Sequence, residues 1–197
     1  MLLYDSAVSG NCYKVRLLFA HLGIGYERRE VDVVDRSNRA QLLGAINPAL
    51  RIPTLILDDG RALAESGAIL FYFADGTEYL PDDRFERAQV LQWLFFEQYS
   101  HEPYIAVARF WRHAGIEVPD SDREAKRRGG LAALQAMEGH LTGREFLLGE
   151  RYTIADIALF AYTHVAPEGG FELEPYPAIR AWLGRVAAQP GHVPITA

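Results

Sequence analysis

Arg51-Ile52-Pro53-Thr54-Leu55-Ile56-Leu57-Asp58-Asp59-Gly60-Arg61-Ala62-Leu63-Ala64-Glu65-Ser66-Gly67-Ala68-Ile69 is the stretch that decides how this chain folds. Ile52 to Leu57 reads as a strand. A proline near its start is tolerated there because proline donates nothing to a sheet ladder. Asp58-Asp59-Gly60 is a hairpin turn signal, so Arg61 to Ala64 returns as an antiparallel neighbour. From Ser66 to Phe73 the apolar residues Ile69, Leu70 and Phe73 recur at helical spacing, which predicts a helix covering one sheet face. The segment is a ββα unit.

Upstream, Leu2-Leu3-Tyr4 is a short apolar strand and Ser6 to Gly10 a turn of small residues. Asn11 to Leu22 reads as a helix, with Val15, Leu18, Phe19 and Leu22 on one side and Gly23 as its stop. Tyr26 to Val34 alternates loosely and suits a second strand, so the opening βαβ wants a parallel pair with a right-handed crossover. Arg36 to Leu43 follows as a short helix ended by Asn47-Pro48. Beyond Leu80-Pro81-Asp82-Asp83 strand signals vanish, and Arg84–His113, Asp122–Leu141, Ile154–Thr163 and Ala178–Gln189 all read as helices. Pro103 breaks or kinks the first of them. The expected architecture is an α/β domain over residues 1–79, ordered βαβ-α-ββα, followed by an all-α domain over residues 84–197.

The chain has 197 residues, 49% of them apolar and 23% charged, which is the composition of a globular protein with a real core. No run approaches the roughly 20 apolar residues that span a bilayer, and Met1-Leu2-Leu3-Tyr4-Asp5 does not begin a secretory leader. The single cysteine, Cys12, excludes an internal disulfide and fits a reducing, cytoplasmic setting. A net charge of −6 argues against a nucleic-acid partner, and the basic run Arg123 to Arg128 reads as a solvated helix face. The six histidines are scattered without metal-ligand spacing, so no metal is expected.

Three signals in the first domain carry chemistry. Val8-Ser9-Gly10-Asn11-Cys12 opens the first helix, where unpaired amides and partial positive charge favour an anion such as a thiolate. Ser9 can aim its hydroxyl at such a sulfur, although Ser9 or Asn11 serves equally as an ordinary cap. Ile52-Pro53 comes second: a cis bond there would turn the Ile52 backbone outward, ready to pair with a peptide-like ligand, though X-Pro bonds are cis in only about 5–6% of cases. Third, Glu65-Ser66 stands where a strand runs into a helix. Ser66 can meet a carboxylate at the helix N-terminus and Glu65 an ammonium group, which together suit the two ends of an α-amino acid; a cap is the alternative here too.

In that order the three signals resemble the cytosolic glutathione transferases of bacterial type. The likeness continues at Glu150-Arg151-Tyr152-Thr153-Ile154-Ala155-Asp156-Ile157-Ala158. There Thr153 caps a helix with Asp156 as its reciprocal partner, and Tyr152 is placed to staple against Ile157. It resembles the start of the central buried helix of that family's second domain, and it covers nearly the whole chain.

The resemblance implies a thioredoxin-like glutathione-binding domain, an all-helical domain carrying the electrophile pocket, and a homodimer active in detoxification without nucleic acid, membrane or metal. It assigns the γ-glutamyl end of glutathione, the co-substrate, to Glu65 and Ser66. The cysteinyl backbone goes to Ile52 before Pro53, and the glycine carboxylate to Arg51. Ser9 is the first candidate for activating the thiol and Asn11 the second. Cys12 is the third candidate, ranked below Ser9: it sits where thioredoxin-like proteins keep the later, more buried cysteine, and a lone buried thiol is usually a packing residue. Tyr104 and Arg109 are candidates for the second-substrate pocket. His101 reads as a surface or interface histidine, and Phe95, Phe96 and Phe110 as core. The expected activity is conjugation of glutathione to small electrophiles. A glutathione-dependent disulfide or peroxide reductase and a non-catalytic glutathione-binding interaction protein are the alternatives.

Overall fold

Alternation along Leu2–Asp5 sends Leu3 to one face of a sheet and Tyr4 to the other, and this strand, β1, is the centre of the first structural unit. The computed structural model describes residues 1–197. The chain divides into Met1–Asp75 joined by Pro190–Ala197, and Gly76–Gln189. In the first unit β1 pairs in parallel with β2 (Glu27–Glu30) and antiparallel with β3 (Thr54–Ile56), which pairs antiparallel with β4 (Ala62–Ala64). The sheet order is β2-β1-β3-β4. Helices α1 (Gly10–Leu22) and α3 (Ser66–Ala74) pack together, and Leu3, Val15, Phe19, Leu55 and Ile69 form one core cluster. Tyr4, Val31 and Leu43 of α2 (Arg39–Leu43) form a second. Tyr4 is core, as its place in the strand predicts.

Strand β2 is shorter than the alternation of Tyr26–Val34 suggests. Asp32 Oδ1 accepts the backbone N–H of Val34 and of Asp35, at 2.7 and 3.0 Å, so those donors close a turn instead of extending the ladder. The end of β1 carries a buried charge group: Asp5 accepts from Arg16 Nη1 at 2.5 Å and faces Arg28 Nε at 2.6 Å.

Residues Pro190–Ala197 lie with this first unit, not with the helical one in which the sequence reading places them. Tyr13 Oη donates to the Val193 carbonyl at 2.7 Å, and Arg16 Nη2 to that of Ile195 at 2.5 Å. Arg28 Nη1 donates to the Ala197 carbonyl at 2.9 Å.

In the second unit α4 (Arg84–Phe96) begins at Asp83, whose Oδ1 accepts from the N–H groups of Phe85 and Glu86. The helix then widens into a π turn, Glu97–His101, before α5 (Glu102–His113). Pro103 explains the widening: it has no N–H for the carbonyl four residues back, and the Glu102 N–H bonds instead to the Glu97 carbonyl. Two expectations fail here. His101 is fully buried, with Nε2 2.9 Å from Thr163 Oγ1, and Phe95 is 68% exposed.

Helices α6 (Asp120–Leu141), α7 (Ile154–Thr163) and α8 (Pro177–Ala187) complete the unit. Every residue of α7 is buried. It starts with the expected reciprocal cap between Thr153 and Asp156, while the Tyr152 ring meets Tyr79 and Phe146 edge-on or tilted. Asp156 also accepts from the Leu147 N–H and from Trp182 Nε1, each at 2.9 Å. No helix is long and apolar enough to cross a membrane.

Candidate functional site

Seven of the residues singled out from the sequence fall in the first unit, at the N-termini of α1 and α3 and in the turn before β3. Ser9 caps α1: its Oγ accepts the Cys12 N–H at 3.3 Å. A hydroxyl that accepts in this way keeps its own proton to donate, so capping the helix and holding a sulfur are compatible tasks for Ser9. The side chain is half-buried at the helix N-terminus, where anions are favoured.

Cys12, one turn in, has no exposed surface. Burial, and then the nearby Asp5 carboxylate, push its thiol up to about 12, against the weaker opposing hydrogen bond with Ser9. It stays a neutral thiol at physiological pH and packs as a small apolar residue.

Asn11 ties the two helix ends together. Its Oδ1 accepts from Lys14 Nζ at 2.7 Å along α1, and Ser66 Oγ at the start of α3 lies 3.4 Å from the same oxygen. Ser66 is buried and Glu65, just ahead of it, is exposed. Glu65 has φ +66° and ψ 119°, a left-handed conformation that costs a non-glycine residue of order 1–3 kcal/mol. Such strain persists only where the surroundings enforce it, here the abrupt passage from β4 into α3. Glu65 makes no side-chain cap bond to α3.

The third element is the turn before β3. The Ile52-Pro53 bond is cis, and the Ile52 backbone takes no part in the backbone hydrogen bonding of the turn. Its neighbours are fixed by a residue the sequence reading passed over. Asn47 Nδ2 donates to the Arg51 carbonyl at 3.0 Å and to Thr54 Oγ1 at 2.9 Å, while its Oδ1 accepts the Ala49 N–H. Asn47 is 3% exposed and holds both sides of the proline in place, leaving the Arg51 side chain in solvent. In the sequence Asn47 looks like a helix terminator; its distance of six residues from Pro53 gives no hint of the brace.

Lys14 was also missed. It is 1% exposed, within the buried run Tyr13 to Phe19 that also holds Arg16, and it stands three residues after Asn11 and so on the same helix side.

Tyr104 and Arg109, on α5 of the second unit, have structural partners of their own. The Tyr104 ring packs against Gly129, leaving no room there for a Cβ, and Lys126 Nζ stands 5.5 Å from the ring centre. Arg109 Nε donates to Glu168 Oε2 at 2.6 Å. A cavity of about 630 Å³ opens at the far end of α5, walled by Trp111, Arg112, Val118, Arg123, Arg127 and Phe171. Tyr104 and Arg109 are not among its walls.

Taken together, the first unit brings Ser9, Asn11 and Ser66 to two neighbouring helix N-termini, with the exposed Glu65 ahead of one of them and the Ile52-Pro53 turn before β3. Its one thiol, Cys12, is buried and protonated and so is not presented as a nucleophile. Residues 3–78 match the family model of the glutathione S-transferase N-terminal domain and residues 88–190 that of the C-terminal domain. The crystal structure of a glutathione S-transferase from Pseudomonas fluorescens Pf-5 is 49% identical, with a TM-score of 0.93, over 100% of this chain and 98% of that one. Glutathione S-transferase 2 of Anopheles gambiae is 31% identical over 93% of this chain and 88% of its own length. The disulfide-bond oxidoreductase YfcG of Escherichia coli K12 is 28% identical over 93% and 89%.

Proposed function

The chain belongs to the glutathione S-transferase family, and from that premise we propose that it is an enzyme conjugating glutathione to small electrophiles. One observation carries the reading: Ser66 Oγ lies 3.4 Å from Asn11 Oδ1, so the N-termini of α1 and α3, to which the reading assigns the sulfur and the γ-glutamyl end, adjoin. Glu65 takes the γ-glutamyl ammonium group and Ser66 its carboxylate. Ile52, ahead of Pro53, pairs with the cysteinyl backbone, and Arg51 reaches the glycine carboxylate. Ser9 donates to the sulfur, with Asn11 beside it.

The chemistry is ionisation of the glutathione thiol followed by attack on the electrophile, the leaving group departing with its electron pair. A free thiol ionises near pH 8.5, and lowering that by two units would stabilise the thiolate by roughly 2.7 kcal/mol. One hydroxyl donor and a helix N-terminus are of the right size to supply it. Contact with the electrophile falls to α5, where Tyr104 and Arg109 remain our candidates. The cytoplasm, where glutathione is abundant and a lone thiol stays reduced, is the setting that fits, and detoxification the role. Exposed aromatics on α3 and α4, Tyr72, Phe85 and Phe95, support a homodimer.

Calorimetry with glutathione, followed by turnover of a chlorinated nitrobenzene, tests this reading. Absence of glutathione binding would turn the protein into a non-catalytic member of its family. The likeness to YfcG favours one second reading, a glutathione-dependent disulfide reductase. Turnover of 2-hydroxyethyl disulfide or cumene hydroperoxide, with none of the nitrobenzene, would select it.

A further inference from the structure

Lysine can only donate hydrogen bonds, so the Asn11 atom 2.7 Å from Lys14 Nζ has to be the carboxamide oxygen. This removes the usual freedom of an asparagine, whose terminal torsion is close to two-fold and whose oxygen and nitrogen exchange places at little cost. A second donor, Ser66 Oγ, approaches the same oxygen from the start of α3 at 3.4 Å. Lys14 is 1% exposed, so the donor side of this part-buried contact is shielded from water, which strengthens a hydrogen bond to a charged donor.

We propose that Lys14 is a positioning residue, which by holding the Asn11 oxygen makes the amide N–H₂ group the face that the groove offers to the sulfur of glutathione. The inference rests on the reading that this groove binds glutathione, and it assigns a task to a residue outside the set that reading uses. An amide turned the other way would present its oxygen to a thiolate and repel it. The bound state makes Lys14 matter more. Ser66 has one hydroxyl proton; once the γ-glutamyl carboxylate takes it, Lys14 is the member of this donor pair that still holds the Asn11 oxygen.

Other charged or titratable groups around the cluster are Asp5 on β1, Cys12 and Arg16 on α1, and Glu65 ahead of α3. Asp5 and Arg16 are paired with each other, and Cys12 remains a thiol. The Lys14 ammonium could also favour a thiolate directly through its charge, and the experiment separates the two routes.

The experiment titrates the ultraviolet thiolate absorbance of glutathione bound to the whole protein. Lys14→Met should raise the pH of half-ionisation by about one, leaving roughly tenfold less thiolate at a given lower pH, while calorimetric affinity for glutathione moves less than about threefold. Lys14→Arg, which keeps a donor, should recover most of the ionisation. Asn11→Ala should raise the midpoint similarly, and Asn11→Ala with Lys14→Met no further, because the lysine acts through the asparagine. Additive effects, or a wild-type titration in Lys14→Met, overturn the proposal. Should Lys14→Met fail to fold, Asn11→Asp leaves the lysine bond in place but aims a carboxylate oxygen at the sulfur. Its midpoint should rise by at least one, and a wild-type midpoint there also overturns the proposal. Wild-type protein that binds no glutathione would overturn the underlying reading instead, a result that the titrations of the variants cannot mimic.

Discussion

Ser9 and Cys12 are three residues apart on the first turn of α1, and their surroundings give them opposite chemistry. Ser9 is half-buried with a proton to donate; Cys12 is sealed beside Asp5 with its thiol pushed up to about 12. Ser9→Ala should therefore lower the thiolate fraction of bound glutathione at neutral pH by about ten- to a hundredfold, seen as a matching fall in kcat/KM. The same variant loses a helix cap and should melt earlier, by about 1 kcal/mol. Cys12→Ala should retain kcat/KM within about threefold, and iodoacetamide should label Cys12 only after unfolding, because the thiolate is the nucleophile. Rapid labelling of the folded chain would contradict that burial. Ser9, Glu65-Ser66 and Ile52-Pro53 stand out in the sequence because each sits at the local start of a helix or strand. Lys14 and Asn47 do not. Their work exists only once tertiary packing has buried a lysine against Asn11 and laid an asparagine across a proline turn.

Helix α7 shows how a short pattern becomes the anchor of a unit. Thr153 and Asp156 cap it reciprocally, and Asp156 holds Leu147 and Trp182 as well. Burial outweighs these donors and pushes the Asp156 carboxyl up to about 6. Its folded form is then the better proton binder between about pH 4 and 6, so the stability it lends falls as pH rises through that window and levels off above it. Asp156→Asn cannot titrate, and its N–H₂ group must face donors, so it should be less stable by about 1–3 kcal/mol. Its deficit against wild type should shrink from about pH 4 to 6 in urea unfolding; a deficit that widens would reverse the sign argued here. The cap was legible because its spacing is fixed by helix geometry. The π turn before α5 was not: periodicity runs unbroken through Arg84–His113, and Phe95 lies off the buried Val90, Trp93 and Leu94 face of α4 while His101 follows buried Glu97 inward. Pro103 marked the place without saying which remedy the chain would adopt.

For the molecule entire, one change of period near residue 80 marks the division into an α/β unit and a helical one, and the sheet order follows from the βαβ and ββα signals. The destination of Pro190–Ala197 carried no such signal, since it lacks periodicity of either kind. Deleting these residues removes the acceptors of Tyr13 and Arg16, and should cost the first unit roughly 2–4 kcal/mol. Amide exchange along α1 would report it as lost protection, whereas unchanged protection would mean that the segment is dispensable. Its position also constrains biosynthesis. Residues translated after the helical unit finish the unit translated before it, so the emerging α/β portion must wait, with the Arg16 guanidinium short of one acceptor, until all of Gly76–Gln189 has left the ribosome.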